Sequence, residues 1–370
     1  MAGRLTQCAS EVGPPMRAAV LCGPGRLELR DVPEPEPAPG EALVHVRACG
    51  VCGSDLRYLR GENPWARHTL GVDRPNPPEM ILGHEVAGEV DWGPPRGRER
   101  VAVLAFKTCG VCRLCRQGKE HLCADTEHLG HGAGWRDRPY NPGGMAERMP
   151  AWVDHLYPLP DRISFEEATL LDGLGVAVHA VGRAGVRWGD RVAIWGCGPI
   201  GLLIAQTARA LGAASIVALD RNEAALETAR ELGATLVRDV GHVPPAEVVP
   251  EVVAATGGDG PDAVVDTTGA LEVQSAALAM VGRGGTVLLM AGAAEGLEVP
   301  RSFHAAERTL TTSCNNTLRE YQIGLELLTQ GRVRVAPLIS HRFALTQVTE
   351  AFAAAADKER SGALKVVVLP

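Results

Sequence analysis

The chain has 370 residues, of which 45% are hydrophobic and 22% charged, with a formal net charge of −7. That length supports about two domains with separate cores, and the balance of apolar and charged residues excludes a disordered or fibrous chain. The acidic charge and the absence of any basic block argue against a nucleic-acid surface, and no apolar run approaches the ~20 residues of a membrane span.

Met1–Pro15 carries one basic residue and no apolar core, so it does not read as a secretory signal. A tail before a first strand near Met16–Cys22 is expected, in a cytoplasmic protein with reduced cysteines. Short β-like runs follow at Ala18–Cys22, Ala42–Ala48, Glu85–Val90 and Arg100–Leu104, separated by turn clusters such as Pro33-Glu34-Pro35-Glu36-Pro37. They predict an irregular, mostly antiparallel β domain. From about Gly173 apolar strands alternate with helical periodicity: strand Arg191–Trp195, helix Pro199–Leu211, strand Ser215–Leu219, helix Glu223–Leu232, strand Ala263–Asp266, a helix around Val273–Val281 and strand Thr286–Ala291. Such alternation builds a parallel sheet covered on both faces, an α/β architecture. After Leu310 the texture is mixed, with a helix near Arg319–Thr329 and a last strand Ala363–Leu369.

Four of the ten cysteines, Cys109, Cys112, Cys115 and Cys123, form the pattern C-x2-C-x2-C-x7-C. One short loop can wrap four thiolates tetrahedrally around a zinc ion, a closed site that braces and does no chemistry. A bacterial iron–sulfur run would have a last gap of about three and a following proline; here the gap is seven and Ala124 follows. Disulfides would need an oxidising compartment.

Gly196-Cys197-Gly198-Pro199-Ile200-Gly201 lies between a strand ending at Trp195 and a helix, the context that G-x-G-x-x-G requires. Gly196 allows the tight turn, Gly198 the approach of a pyrophosphate, and Gly201 close helix–strand packing. The helix opens at Pro199, which has no N–H of its own, and turns the free N–H groups from Ile200 onward toward the phosphates. Asp220, closing the next strand, is placed to grip the adenosine ribose and to repel a 2′-phosphate, so NAD is expected over NADP. The adjacent Arg221 weakens that preference, because an arginine there can receive the phosphate.

Upstream stand Cys52, in Cys49-Gly50-Val51-Cys52-Gly53-Ser54-Asp55, and the pair His84-Glu85. A catalytic zinc takes three protein ligands of these types and leaves one position open. Spacing across ~30 residues is not diagnostic alone, so a core histidine, a buried cysteine or a redox Cys49/Cys52 pair stay as alternatives. Adjacent His and Glu in a strand would point to opposite faces, one binding directly and the other supporting it.

The combination of Gly50-Val51-Cys52-Gly53-Ser54-Asp55, Gly83-His84-Glu85, the four-cysteine lobe and Gly196-Cys197-Gly198-Pro199-Ile200-Gly201 resembles the zinc-dependent medium-chain dehydrogenases, most of all the sorbitol (polyol) and threonine dehydrogenase branch. The likeness runs from about Met16 to the last strand. It implies a Rossmann doubly wound parallel sheet plus a GroES-like, mainly-β catalytic domain. The expected divisions are a catalytic domain at 1–173 with a zinc lobe at about 107–125, a Rossmann NAD-binding domain at 174–310, with Ala291 beside the cofactor, and a return segment at 311–370.

The resemblance places catalytic zinc on Cys52, His84 and Glu85, with Asp172 as a fourth acidic ligand, direct or through water, and a structural zinc on the cysteine lobe, two ions per chain. The polyol branch carries Glu-Pro where this chain has Asp172-Gly173, a shorter arm. Ser54 is the implied proton acceptor. Relatives often place a relaying histidine three residues later, where this chain has Arg57, which cannot act as a base, so a relay is expected to run from Ser54 through the cofactor ribose or water. Tyr58 matches a pocket tyrosine, and Asn315 and Asn316 fall where relatives bring an arginine to the substrate. The implied reaction passes a hydride between a secondary alcohol or polyol and NAD. The rivals are an L-threonine 3-dehydrogenase or another alcohol or sugar dehydrogenase, and, in a different class, a non-catalytic NAD- and zinc-binding redox sensor. In relatives the stretch Thr309–Cys314 pairs across a dimer, so a homodimer or homotetramer is expected.

Overall fold

A computed structural model describes residues 15–132 and 140–370, so the tail expected at Met1–Pro15 falls almost wholly outside the described residues. The second half contains a six-stranded sheet, all parallel, in the spatial order Leu236–Asp239, Ser215–Asp220, Arg191–Trp195, Ala263–Asp266, Thr286–Leu289, Thr309–Thr312. This is the doubly wound order, with its switch point beside Arg191–Trp195. The strands are apolar on both faces because both are covered. Val192, Ile194, Ile216 and Ala218 pack into one core with helices Leu171–Ala184 and Pro199–Leu211. Ala193, Trp195, Val217 and Leu219 pack on the other side with helices Pro245–Ala255 and Leu271–Met280.

The first half folds around a seven-stranded, largely antiparallel sheet whose centre is Glu41–Gly50 between Glu85–Asp91 and Lys365–Leu369. The last strand therefore leaves the α/β half and completes the β half, pairing parallel with Ile339–Ala344 and antiparallel with Glu41–Gly50. A smaller sheet, Arg26–Pro33, Pro15–Gly23 and Met80–Ile81, closes one side.

Two boundaries differ from the sequence reading. Helix Leu171–Ala184 runs across residue 173, and Thr309–Thr312 is the sixth strand of the parallel sheet, so the chain leaves that sheet after 312. Leu310 packs against the second core of the α/β half, which holds this edge strand in the sheet.

The glycine turn has steric reasons. Gly196 has φ +90°, and a side chain there would run into Thr267. A Cβ at Gly201 would collide with the Gly196 carbonyl oxygen, whereas one at Gly198 would meet nothing within 4 Å. Gly201 thus serves packing, and Gly198 faces open space. Gly201→Ala should lower stability by about 1–3 kcal/mol through overpacking, read as a lower melting temperature, while Gly198→Ala should leave the melting temperature of the cofactor-free protein nearly unchanged.

Candidate active site

Helix Gly53–Leu59 starts at Cys52, and the buried Asp55 at its third position organises the surroundings. Asp55 Oδ2 accepts the Cys52 N–H at 2.8 Å, and Oδ1 accepts the Gly83 N–H at 3.3 Å. The same Oδ1 lies 3.7 Å from His84 Nδ1. His84 precedes the strand Glu85–Asp91 and follows Gly83, whose φ is +96°. Because His84 stands outside the pleat, the expected opposite orientation of His84 and Glu85 does not hold. Ligand atoms of Cys52, His84 and Glu85 all lie within 4.8 Å of one another. Burial alone would lower the His84 pKa, but the charges of Cys52 and Asp55 outweigh it and raise it well above the usual histidine range.

The three residues sit between two cavities. One, of about 310 Å³, is lined by Cys52 and Glu85 and by Gly198, Pro199, Ile200 and Gly201. The other, of about 530 Å³, is lined by Ser54, His84, Asp172, Ala291 and Asn315 among others. Gly53 and Thr267 line both. This donor set, one thiol, one imidazole and one carboxylate with open space beside it, fits a zinc ion with an exchangeable position. Asp172 reaches the cavity wall but is not in the three-residue group. Desolvation raises its pKa, with Glu85 adding to the shift and His84 opposing it.

Glu85 has a further partner that sequence reasoning missed. Its Oε2 forms an ion pair with Lys365 Nζ, both side chains only 6% exposed. Lys365 Nζ also donates to the Val51 carbonyl at 3.1 Å. Burial opposes the charge on Lys365, but Glu85 and Cys52 outweigh it and raise its pKa. No local motif marks this lysine, since it comes from the last strand.

Histidines form the other unforeseen part. Ser54 Oγ lies 3.3 Å from His131 Nε2, which is 3.1 Å from His84 Nδ1. His128 stacks on His131 with ring centroids 3.9 Å apart, and burial, with the His84 charge, pushes its pKa down to about 3. His121 lines the same cavity. Three of the chain's 11 histidines within His121–His131 were the available signal. Arg57 is tied up with Glu62, its Nε donating to Oε2 at 2.9 Å.

The expected pocket residues separate. Asn315 lines the cavity with φ 57°. Asn316 is fully buried, its Nδ2 donating to the Asp172 carbonyl at 3.4 Å. Tyr58 is likewise fully buried, accepting the Gly132 N–H at 3.0 Å, with its ring 5.1 Å from that of His131. It stands behind the wall rather than in it.

A third cavity, about 540 Å³, joins Gly198 to Asp220 and Arg221. Asp220 accepts N–H bonds from Cys197 at 2.5 Å and Asn222 at 2.8 Å, which fixes its carboxylate at the strand end. Arg221 pairs with Glu359 at 3.0 Å. In the cysteine lobe the Sγ atoms of Cys109, Cys112, Cys115 and Cys123 are 3.5–4.0 Å apart along four edges. A tetrahedron with Zn–S near 2.3 Å has edges of about 3.8 Å, so this group fits zinc with no open position.

Lys365→Met should cost about 3–5 kcal/mol, because it strands a buried carboxylate; calorimetry should show a lower melting temperature, partly restored in Glu85→Gln/Lys365→Met. The fixed Asp220 charge predicts a kcat/KM for NAD above that for NADP, a gap that Asp220→Asn should narrow.

Comparison with known proteins shows the family. The alcohol dehydrogenase GroES-like domain model matches residues 38–161 and the zinc-binding dehydrogenase model residues 199–330. Sorbitol dehydrogenase of Bombyx mori is 30% identical over 358 residues, covering 95% of this chain and 97% of the relative. The alcohol dehydrogenase of Thermus sp. ATN1 superposes with a TM-score of 0.82 at 30% identity, over 96% of this chain and 99% of that one. An Escherichia coli alcohol dehydrogenase complexed with NADH gives 0.83 at 25% identity, over 97% and 100%. Parallel sheet, β half, motif turn and cysteine lobe thus converge with these likenesses, and the chain belongs to the zinc-dependent medium-chain dehydrogenases, in their polyol branch.

Proposed function

We propose that this protein is an NAD-dependent zinc dehydrogenase oxidising a secondary alcohol or polyol to the carbonyl compound. The observation that carries the reading is the convergence of Cys52, His84 and Glu85 between the cavity of the glycine turn and the cavity of Ser54. Bound zinc supplies a Lewis acid that makes a substrate hydroxyl more acidic, and bound NAD supplies the hydride acceptor. The chain's residues do the rest. Cys52, His84 and Glu85 serve as metal ligands, with Asp172 on the wall of the substrate cavity. Ser54 Oγ accepts the hydroxyl proton as it passes its own to His131 Nε2, 3.3 Å away, a role that Arg57 cannot fill. Gly53 and Thr267, common to both cavities, mark where carbinol carbon and nicotinamide are held at reacting distance. Cys109, Cys112, Cys115 and Cys123 hold a second, structural zinc.

The nine cysteines among the described residues are unbridged, which supports a reducing, cytoplasmic setting. No helix among the described residues is long and apolar enough to cross a membrane. Thr309–Thr312 leaves an open edge on the parallel sheet, and open edges favour pairing; we infer a homodimer, or a tetramer built from it, through that edge.

The test combines metal analysis with turnover. Two zinc ions per chain are expected, and NADH should form, by absorbance, with members of a panel of secondary alcohols, polyols and threonine. Cys52→Ser should lose one zinc and at least about 10³-fold in kcat/KM while keeping its fold, read by circular dichroism, whereas Cys112→Ser should lower the melting temperature first. Full turnover by Cys52→Ser overturns the assignment, and a single zinc with no turnover favours the sensor.

A further inference from the structure

Only four of the 37 basic residues are lysines, and two of them, Lys358 and Lys365, line the cleft of the glycine turn. Lys365 is neutralised by Glu85; Lys358 is not neutralised by any ion pair among the described residues. Its acidic neighbours are already engaged, Asp357 with Arg360 and Glu359 with Arg221. Lys358 belongs to a short helix, Lys358–Ser361, carried by the segment that returns to the β half. It therefore faces the parallel-sheet half from across the cleft.

Its position is specific. The cavity lined by Cys52, Glu85 and Gly201 and the cavity lined by Asp220 and Arg221 share three residues: Gly198, Lys358 and Leu364. A dinucleotide with its adenosine ribose at Asp220 and its nicotinamide beside Cys52 must pass that junction, and the part of the molecule that lies between two nucleosides is the pyrophosphate. Gly198 is the N-cap of helix Pro199–Leu211, offers no side chain, and faces open space. The helix start supplies N–H groups and a positive dipole end on one side. Opposite it, an ammonium without a counter-ion completes an anion site. Burial and the charge of Lys365 lower the Lys358 pKa, with the charges of Cys52 and Asp220 opposing the shift.

We propose that Lys358 clasps the dinucleotide pyrophosphate from the β half, against the start of helix Pro199–Leu211, so that the cofactor's own charge ties the two halves together. The inference rests on the dinucleotide reading above.

The test is NADH fluorescence titration of the zinc-loaded protein, with ADP-ribose as competitor, on the parent, Lys358→Gln and Lys358→Arg. Lys358→Gln should weaken NADH and ADP-ribose by the same factor, at least about tenfold, with KM for NAD rising in step. Lys358→Arg should stay within about threefold of the parent, and the melting temperatures of the cofactor-free proteins should coincide. Equal NADH affinity in Lys358→Gln and the parent overturns the clasp and leaves the NAD reading standing. A larger loss for NADPH than for NADH also overturns it, by putting Lys358 on a 2′-phosphate. Failure of the parent to bind either NADH or ADP-ribose overturns the dinucleotide reading itself.

Discussion

The Asp55 carboxylate, fully buried, accepts one N–H from Cys52 and another from Gly83. These bonds join two loops that are distant in sequence and would otherwise be independent. Burying a carboxylate is costly unless its lone pairs are satisfied, and the loops satisfy it only when both are in place. The thiol of Cys52 and the imidazole of His84 are therefore brought together by a group that is itself outside the ligand set. The positive φ at Gly83 serves the same end, since it releases His84 from the pleat and lets it approach Cys52 alongside Glu85.

Around this point the two halves contribute different chemistry. The parallel sheet supplies a helix start, an open glycine and a fixed acid at Asp220, features that recognise a phosphorylated ribose-containing ligand by backbone and charge. The β half supplies soft and hard donors in a small volume and a wall of histidines. Of the two cavities between them, one is polar on the side of Ser54 and His131, where a proton leaves. The other, at Gly198, joins a helix start to the side chain of Lys358, where a charge is held.

Much of this was legible in the chain because it is encoded locally. Strand Arg191–Trp195 and helix Pro199–Leu211 fall where period and glycine turn put them, and the four-cysteine lobe closes on itself. What escaped is either non-local or contradicted by a local signal. Lys365 meets Glu85 across 280 residues, and nothing near either residue announces the other. His131 reaches Ser54 across 77 residues, and nothing around Ser54 announces it. Helix Pro245–Ala255 contains Pro250, which local rules read as a break, yet Val248 and Val252 are buried against the sheet. Asn315 and Asn316 are adjacent in sequence, but one faces the cavity and the other fills the interior, a difference decided by a single left-handed residue, Asn315, at φ 57°.

The insertion of Lys365–Leu369 beside Glu41–Gly50 carries a consequence for how the molecule is born. During translation the segments of the parallel sheet emerge, and can fold, before the strand that completes the β half has been made. The Glu85 carboxylate waits for its counter-charge until then, so the nascent protein passes through a stage with a mature nucleotide-binding fold and an unfinished metal-binding one. A chain cut before Lys365 would keep the strands of the coenzyme site yet lack the one that supports its reaction centre.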